Sequence, residues 1–306
     1  MLRAWRRLRG LARSLALYYW PPGSGRRLDD FYRPLIPAGG LCFDIGAHVG
    51  NRTRCWRRLG ARVVAVEPQP DLARLLRWLF RRDPGVTLIA AAVDGVEGAL
   101  DLHLSPATPT VSTASREFID ETRAVGSFDA VRWEETLRVP ALTLDRLIAD
   151  HGMPDFVKID IEGLEERALE GLSQAVPLLS FEFLASAVPR AKAALARLDK
   201  LADWRFNVSR GESLTFEFEH WLYRAALEDW LDGVAGQDFS GDIYARRERA
   251  LARAAPLWSR QRSAGFPSGA RGPARALRVG ASGAPRAAAW GLALGAGARN
   301  ARAPSG

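Results

Sequence analysis

Short apolar runs alternate with helical segments along the middle of the chain, and this alternation limits the possible folds most strongly. In the run 62–68 (RVVAVEP), four apolar residues are consecutive, which indicates a strand that is buried on both faces. Buried strands that alternate with helices predict an α/β fold with a mostly parallel sheet covered on both sides. The expected strands are 40–46, 62–68, 86–93, 98–105, 155–163, 176–184, 204–210, 213–219 and 240–246.

The net charge of +8 is concentrated at the two ends of the chain. Residues 1–27 carry +7 and residues 246–306 carry +11, which leaves −10 on residues 28–245. An acidic middle argues against nucleic acid as a partner, because phosphate binding needs clustered cations. We predict a basic N-terminal segment over 1–27, a folded domain over 28–246 and a tail over 247–306. The tail is rich in Ala, Arg, Gly and Pro, lacks an apolar period and is expected to be disordered.

The first twenty residues, MLRAWRRLRGLARSLALYYW, combine arginines with Leu, Trp and Tyr. This pattern is typical of a basic amphipathic helix, which either rests on an anionic membrane surface or flanks the domain in water. No window approaches the roughly 20 apolar residues of a membrane span. Cys42 and Cys55 form no zinc-binding or disulfide pattern, which indicates a reducing compartment. The expected location is the cytoplasm, with peripheral membrane contact as a further expectation.

An acidic residue and two glycines follow one another where the first strand ends, in LCFDIGAHVG. Asp44 closes the strand, and Gly46 and Gly50 lie in the turn that follows, where a missing Cβ allows close approach. The spacing differs from the G-x-G-x-x-G of dinucleotide sites, and an acid there would repel a pyrophosphate. A cofactor with positive charge, such as S-adenosylmethionine, fits better. Glu67 ends the next strand and can accept both hydroxyls of a ribose; otherwise Asp44 caps a helix and Glu67 lies exposed.

A second polar motif, FVKIDIEGLE, lies at the end of a later strand. Lys158, Asp160 and Glu162 occupy alternate positions, so their side chains are expected on one face. Three polar groups on one face of a buried strand must border a cleft or form an internal ion pair. Gly163 then permits a tight turn into the next helix.

These motifs, in this order, resemble the FkbM family of S-adenosylmethionine-dependent methyltransferases. The resemblance covers about residues 40–245 and rests on FDIGAHVGN, VVAVEPQP, LTLDRLIADHGMPDFVKIDIEG and LLSFEF. It implies a class I methyltransferase fold, a doubly wound Rossmann-like arrangement with a mostly parallel seven-stranded sheet. It also implies transfer of a methyl group to a hydroxyl of a sugar, glycolipid or natural product.

The resemblance also assigns roles to single residues. Asp160 follows the fourth core strand, where the family brings the methyl group and the acceptor together. His48 stands where the family more often has Asn, and we expect it to be neutral because a charged His would repel the sulfonium. The segment 105–115 resembles a Ser/Thr-rich loop near the cofactor or the acceptor. The residues implied in cofactor binding are Asp44, Gly46, Ala47, His48, Gly50, Glu67 and Pro68.

Methyl transfer to an alcohol benefits from a general base, and carboxylates are the candidates here. Asp160 is the first candidate and Glu182 the second, since Glu182 is an isolated acid in a buried strand. Glu182 is otherwise a structural hydrogen-bond partner. Lys158 and Glu162 are expected to orient Asp160 or to bind substrate hydroxyls, and His220 is a distant third candidate for the base. Asp160, Glu162 and Glu182 could gather a metal ion, but no metal is expected because no His or Asp cluster accompanies them.

Two other functions remain open on the sequence. An NAD-linked oxidoreductase could use a similar sheet, although the missing G-x-G-x-x-G counts against it. A non-catalytic scaffold at a membrane would account for the basic N-terminus. The intact carboxylates Asp44, Glu67 and Asp160 argue against a scaffold.

Overall fold

The structure is a computed structural model, and it describes residues 2–123 and 126–248. Most of the predicted tail, from residue 249 onward, lies outside the described residues. The strands are β1 (Leu41–Ile45), β2 (Arg62–Val66), β3 (Val86–Ile89), β4 (Ala92–Val93), β5 (Gly98–Leu104), β6 (Glu135–Leu142), β7 (Phe156–Ile159), β8 (Leu178–Leu184), β9 (Trp204–Arg210) and β10 (Ser240–Arg247). The α-helices are α1 (Leu2–Tyr19), α2 (Ser24–Tyr32), α3 (Asn51–Arg58), α4 (Pro70–Leu79), α5 (Arg116–Thr122), α6 (Leu144–His151), α7 (Glu165–Glu170), α8 (Val188–Asp199) and α9 (Arg224–Val234).

Seven strands form one sheet in the order β3-β2-β1-β7-β8-β10-β9. In this sheet the five neighbouring strands β3, β2, β1, β7 and β8 are parallel, and β10 runs antiparallel to its neighbours β8 and β9. The predicted mostly parallel sheet of seven strands is therefore confirmed. Its register sets Asp44 opposite Lys158 and Glu182 opposite Asp242. Four charged residues from distant parts of the sequence thus lie on neighbouring strands.

Helices cover both faces of this sheet. On one face α6, α7, α8 and α9 bury a large core that includes Phe43 and Ile45. On the other face α2, α3 and α4 pack over Cys42 and Phe156, with Trp56 of α3 fully buried. Alternate residues of a strand point to opposite faces, so consecutive apolar residues are needed in each inner strand. This is the doubly wound arrangement that the sequence predicts.

A second, three-stranded sheet has the order β4-β6-β5 and departs from the sequence prediction. The segment 86–93 was expected to be one strand, but β3 joins the large sheet and β4 the small one. The segment 98–105 forms a strand as expected, yet it pairs with β6, which the sequence did not reveal. Leu102 and Val139 belong to one buried cluster on this sheet, whereas alternate residues of the strands are more exposed. A strand buried on one face only can form a small sheet outside the main core.

The segment 213–219 was expected to be a strand, and this prediction is wrong. No regular ladder forms there, and Leu214 has a φ of +53°. The side chain of Asn207 instead donates to the carbonyl of Phe218 at 2.9 Å and accepts its N–H at 3.2 Å. The side chain of Asn207 thus forms hydrogen bonds with the backbone groups of Phe218 that a neighbouring strand would otherwise use. Such bonds from side chain to backbone commonly compete with regular secondary structure.

Candidate active site

A cavity opens at the carboxyl ends of β1, β2 and β7, where ligands of parallel α/β sheets bind. Residues from the loop after β1, the end of β2 and the segment after β7 line it, together with part of the Ser/Thr-rich loop. Of the residues predicted to bind the cofactor, the cavity is lined by Asp44, Gly46, Ala47, His48, Glu67 and Pro68. Gly50 is absent from its lining.

Asp44 is held rigidly at the base of this cavity. Its side chain is buried, with 2% of the residue exposed, and its Oδ2 accepts a hydrogen bond from the Thr53 hydroxyl at 2.5 Å. Burial raises the pKa of Asp44, against the opposing effects of the Thr53 hydrogen bond and the Arg52 guanidinium. Thr53 lies in the first turn of α3, so the helix that follows the loop fixes the direction of the carboxylate.

The backbone N–H groups of the loop after β1 point back into the protein. Those of Gly46 and Ala47 donate to the carbonyl of Val66 at 2.9 and 3.0 Å, and that of His48 donates to Oε2 of Glu67 at 2.8 Å. A pyrophosphate site needs such N–H groups free and aimed at the ligand. Because they are already bonded and carboxylates line the cavity, the geometry disfavours a dinucleotide and favours a cofactor with positive charge.

Both glycines of the loop have left-handed conformations, and both serve close packing. Gly46 has a φ of +83°, and a Cβ there would lie 1.9 Å from the carbonyl oxygen of Asp160. Gly50 has a φ of +77°, and a Cβ there would lie 2.7 Å from Leu76 and 2.8 Å from Phe80. Gly46 therefore lets β1 and β7 approach at the cavity. Gly50 lets α3 begin against α4, so its contribution to the site is indirect.

Glu67 and His48 form the wall beside the end of β2. The Glu67 carboxylate accepts the N–H groups of His48 and Gln69, both at 2.8 Å, and burial raises its pKa to about 7. Each oxygen keeps a free lone pair for a hydroxyl donor. Burial lowers the pKa of His48 to about 4, so the ring is neutral at pH 7 as expected. Its Nε2 is buried without a hydrogen-bond partner, which leaves a polar atom for a nucleoside ligand to satisfy.

The second motif forms a buried ion-pair group. Lys158, with a side chain only 1% exposed, places Nζ 3.0 Å from Oδ2 of Asp160 and 2.7 Å from Oδ1 of Asp242. Burial opposes the ionisation of Asp160, but Lys158 and Arg52 outweigh it and hold the pKa of Asp160 below its ordinary value. Asp160 also lines the cavity, whereas Lys158 lies beneath it. The sequence left two alternatives for this motif, an internal ion pair or the border of a cleft, and the structure shows both.

A second cavity adjoins the first. The two share Asp160 and Glu162, and their shared lining also includes Tyr18, Asn51, Arg52 and Thr110. The second cavity is also lined by the cations Arg27 and Arg52 and by five carboxylates: Asp160, Glu162, Glu182, Glu212 and Asp242. Asp160 and Glu162 thus lie at the boundary between the first cavity, beside the end of β1, and the second cavity, beside the end of β8.

Sequence reasoning did not identify some residues of the site. Asp242 is a lone acid within the apolar strand SGDIYAR, the same signal that singled out Glu182 in LSFEF. Arg52 donates to Glu212 at 3.0 Å and to the hydroxyl of Tyr32 at 3.3 Å, and nothing local in the sequence indicates these contacts. His220, by contrast, is exposed and lies outside the cavities described above.

The Ser/Thr-rich loop (residues 105–115) and helix α1 contribute residues to the walls of the two cavities. Pro109, Thr110 and Ser112 of the loop line the first cavity. Tyr18 of α1 lines both, with its ring 5.5 Å from that of His48 in an edge-on contact. The Tyr19 hydroxyl donates to the carbonyl of Val49 at 3.0 Å. The end of α1 is therefore part of the site rather than a helix that only flanks it in water.

The strand order and the carboxylate-lined cavity at the strand ends define the class of the protein as a class I S-adenosylmethionine-dependent methyltransferase. Residues 44–223 match the family described as the methyltransferase FkbM domain. Because the match spans more than half of the chain, the protein belongs to the FkbM family, and its cofactor is S-adenosylmethionine. No curated protein sequence shows significant similarity to the chain.

Solved structures with a similar fold include several methyltransferases, all at low similarity. The O-methyltransferase from Bacillus cereus in complex with SAH is 12% identical, with a TM-score of 0.36, covering 80% of this chain and 90% of that chain. Precorrin-6y C5,15-methyltransferase from Geobacter metallireducens is 12% identical, with a TM-score of 0.36, covering 72% of this chain and 86% of that chain. Fibrillarin from Aeropyrum pernix with bound S-adenosyl-L-methionine is 12% identical, with a TM-score of 0.35, covering 69% and 68%.

Proposed function

We infer that the protein methylates a hydroxyl oxygen of a small polyhydroxylated acceptor, such as a sugar, a glycolipid or a natural product. The observation that supports this best is the second cavity, which shares Asp160 and Glu162 with the cofactor cavity. Its five carboxylates are hydrogen-bond acceptors, and hydroxyl groups are the donors that match them. The acidic lining also disfavours a polyphosphate or nucleic acid as the acceptor.

The cofactor cavity supports a division of tasks among the residues predicted from the sequence. Glu67 would accept the hydroxyl groups of the cofactor ribose, and Asp44 with the turn at Gly46 and Ala47 would hold its cationic amino-acid end. His48, with its neutral ring, and Pro68 also line this cavity and would form its wall around the nucleoside. When bound, S-adenosylmethionine supplies an activated methyl group, so the protein has mainly to align the acceptor.

In this mechanism Asp160 is the general base. Its Oδ2 accepts a hydrogen bond from Lys158, and its Oδ1 is available to take the proton of the acceptor hydroxyl. Because Lys158 holds the pKa of Asp160 low, the carboxylate is ionised before the acceptor binds. Lys158 acts as a positioning residue beneath it, Glu162 binds an acceptor hydroxyl, and Glu182 is the alternative base.

Transfer of labelled methyl groups tests the proposed function. Purified full-length protein is incubated with labelled S-adenosylmethionine and a panel of sugar, lipid and polyketide hydroxyls. We expect transfer to at least one hydroxyl acceptor, and Asp160→Asn should lower turnover by about 100-fold or more while cofactor affinity changes less. Asp101→Asn, on the exposed face of the small sheet, is the matched control. Transfer only to nitrogen, carbon or nucleic acid acceptors would contradict the proposal.

Helix α1 supports a peripheral contact with an anionic membrane from the cytoplasmic side. None of the described helices is long and apolar enough to cross a membrane. Trp5, Leu8 and Trp20 are nevertheless 58%, 66% and 82% exposed, among the arginines of the basic segment. Exposed Trp and Leu beside Arg suit the interface of an anionic bilayer. Co-sedimentation with phosphatidylserine vesicles should decrease for Trp5→Ser with Leu8→Ser, and unchanged binding would refute the contact.

A further inference from the structure

Three carboxylates converge at the boundary between the two cavities. One oxygen of each of Asp160, Glu162 and Glu182 lies within 4.8 Å of the others. Asp160 follows β7, Glu162 lies in the next turn, and Glu182 comes from β8. Because β7 and β8 are parallel neighbours, their carboxyl ends bring residues that are far apart in sequence to one edge of the sheet.

Glu162 supplies an observation that is independent of this clustering. Its Oε2 is buried without a hydrogen-bond partner, and the residue is only 7% exposed. Its backbone has a φ of +54°, which non-glycine residues rarely adopt, and its carbonyl accepts the Thr113 hydroxyl at 2.6 Å. A buried, unpaired carboxylate oxygen is costly, so a ligand that supplies positive charge would stabilise this arrangement.

Two cations near the cluster are already shared between carboxylates, whereas Arg27, which also lines the second cavity, is exposed. Lys158 pairs with both Asp160 and Asp242, and Arg52 pairs with Glu212. Within residues 2–123 and 126–248, no Lys or Arg forms an ion pair with Glu162 or Glu182. S-adenosylmethionine adds one net positive charge at most, so the cofactor alone does not supply a cation for each of these carboxylates.

We propose that Asp160, Glu162 and Glu182 bind a divalent cation, with Mg²⁺ as the best match. Three carboxylates offer only oxygen ligands, which hard cations prefer, and Mg²⁺ in such sites keeps several positions for water or substrate. The inference rests on the proposed function in one respect, that adjacent hydroxyls of the acceptor take the remaining positions.

The cation would place the acceptor oxygen and lower the pKa of its hydroxyl. The proton then passes to Asp160, the general base of the proposed mechanism, and the acceptor oxygen forms its bond to the methyl carbon. The carbon–sulfur bond breaks with its electron pair left on sulfur, giving a neutral thioether. The charges balance without any oxidant or reductant.

Direct ion binding tests this inference. Chelator-treated full-length protein is titrated with Mn²⁺, which is followed by electron paramagnetic resonance, and Mg²⁺ then competes for the site. We expect one ion per chain, with binding weakened at least about tenfold by Glu162→Gln and by Glu182→Gln. Asp101→Asn should bind as the wild type does. Circular dichroism and urea unfolding show whether each variant is folded.

A second measurement does not depend on the paramagnetic probe. Addition of 10 mM Mg²⁺ should raise the melting temperature of the wild type by about 2–4 °C and leave that of Glu162→Gln unchanged. If folded wild-type protein binds neither ion while it still transfers methyl groups to hydroxyls, the inference is wrong and the proposed function stands. If an ion binds at these residues but no hydroxyl is methylated, the proposed function fails and the cation site stands.

Discussion

Lys158 and Asp242 form an ion pair of 2.7 Å at the second cavity, although they lie 84 positions apart in sequence. Asp242 lies on β10, the antiparallel strand, and Lys158 on β7, with β8 between them. The pair passes across β8 next to Ser180, which the register sets opposite Lys158. It therefore connects the antiparallel part of the sheet with the strand that presents Asp160 to the cavity.

Replacement of Lys158 by methionine should destabilise the protein strongly. Lys158→Met leaves Asp160 and Asp242 buried without their cation, and loss of one partner of a buried pair costs about 3–5 kcal/mol. Lys192→Met removes a comparable contact on the surface, with Asp232 61% exposed, and should cost about 1 kcal/mol or less. Urea denaturation of both variants checks this. Similar losses in the two would show that the buried pair does not stabilise the fold.

The turn after β1 should tolerate no side chain at Gly46. Gly46→Ala combines a φ of +83° with a Cβ 1.9 Å from the carbonyl oxygen of Asp160, and should cost about 2–5 kcal/mol. Gly39→Ala is a matched control, because Gly39 has a φ of +76° with open space around it. That variant should lose only about 1–2 kcal/mol. Equal losses would mean that strain of the backbone, and not contact between β1 and β7, requires glycine.

Cofactor affinity should depend on the fixed carboxylate of Asp44. Asp44→Asn removes its charge but keeps its size, and we expect binding of S-adenosylmethionine to weaken by about 10- to 100-fold. Thr53→Val removes the hydroxyl that orients Asp44 and should weaken binding less. Isothermal titration calorimetry measures both. Asp150→Asn, which changes an exposed carboxylate of α6, should bind normally. Unchanged affinity in Asp44→Asn would exclude Asp44 from the cofactor site.

Stability of the cofactor-free protein should fall as the pH rises through neutrality. Burial raises the pKa of Glu67 from 4.5 to about 7 in the folded state, so the folded protein favours the protonated form. The contribution of Glu67 is thus fully present below its unfolded pKa and is lost as the pH rises through about 7. Glu165 changes in the same direction, with its pKa also raised to about 7 by burial.

Urea unfolding of the cofactor-free protein at pH 5, 6.5 and 8 measures this dependence. Glu67→Gln should reduce the fall in the free energy of unfolding between the first and the last pH, since Gln does not ionise there. Glu97→Gln, an exposed change, should leave the pH dependence as it is. A Glu67→Gln profile that matches the wild type would show that Glu67 is not titrated near neutrality.

The alternation of apolar runs and helices by itself determined the large sheet, because inner parallel strands must be apolar on both faces. The same local reasoning found Asp44, Glu67 and Asp160, since each stands at a strand end, where polar residues meet a ligand. The small sheet was not predictable in this way. Its strands β5 and β6 are separated by a long connection, and the segment before them divides between two sheets.

Tertiary structure alone decided which partners surround the candidate base and what closes the site. Lys158 is paired with Asp242 because β10 inserts beside β8, and that strand order depends on long-range packing. Tyr18 reaches the cavity because α1 docks beside the Ser/Thr-rich loop, a contact that no local pattern encodes. Local sequence fixes the strand ends and their polar residues. Their neighbours across the sheet are set by the packing of segments far apart in the chain.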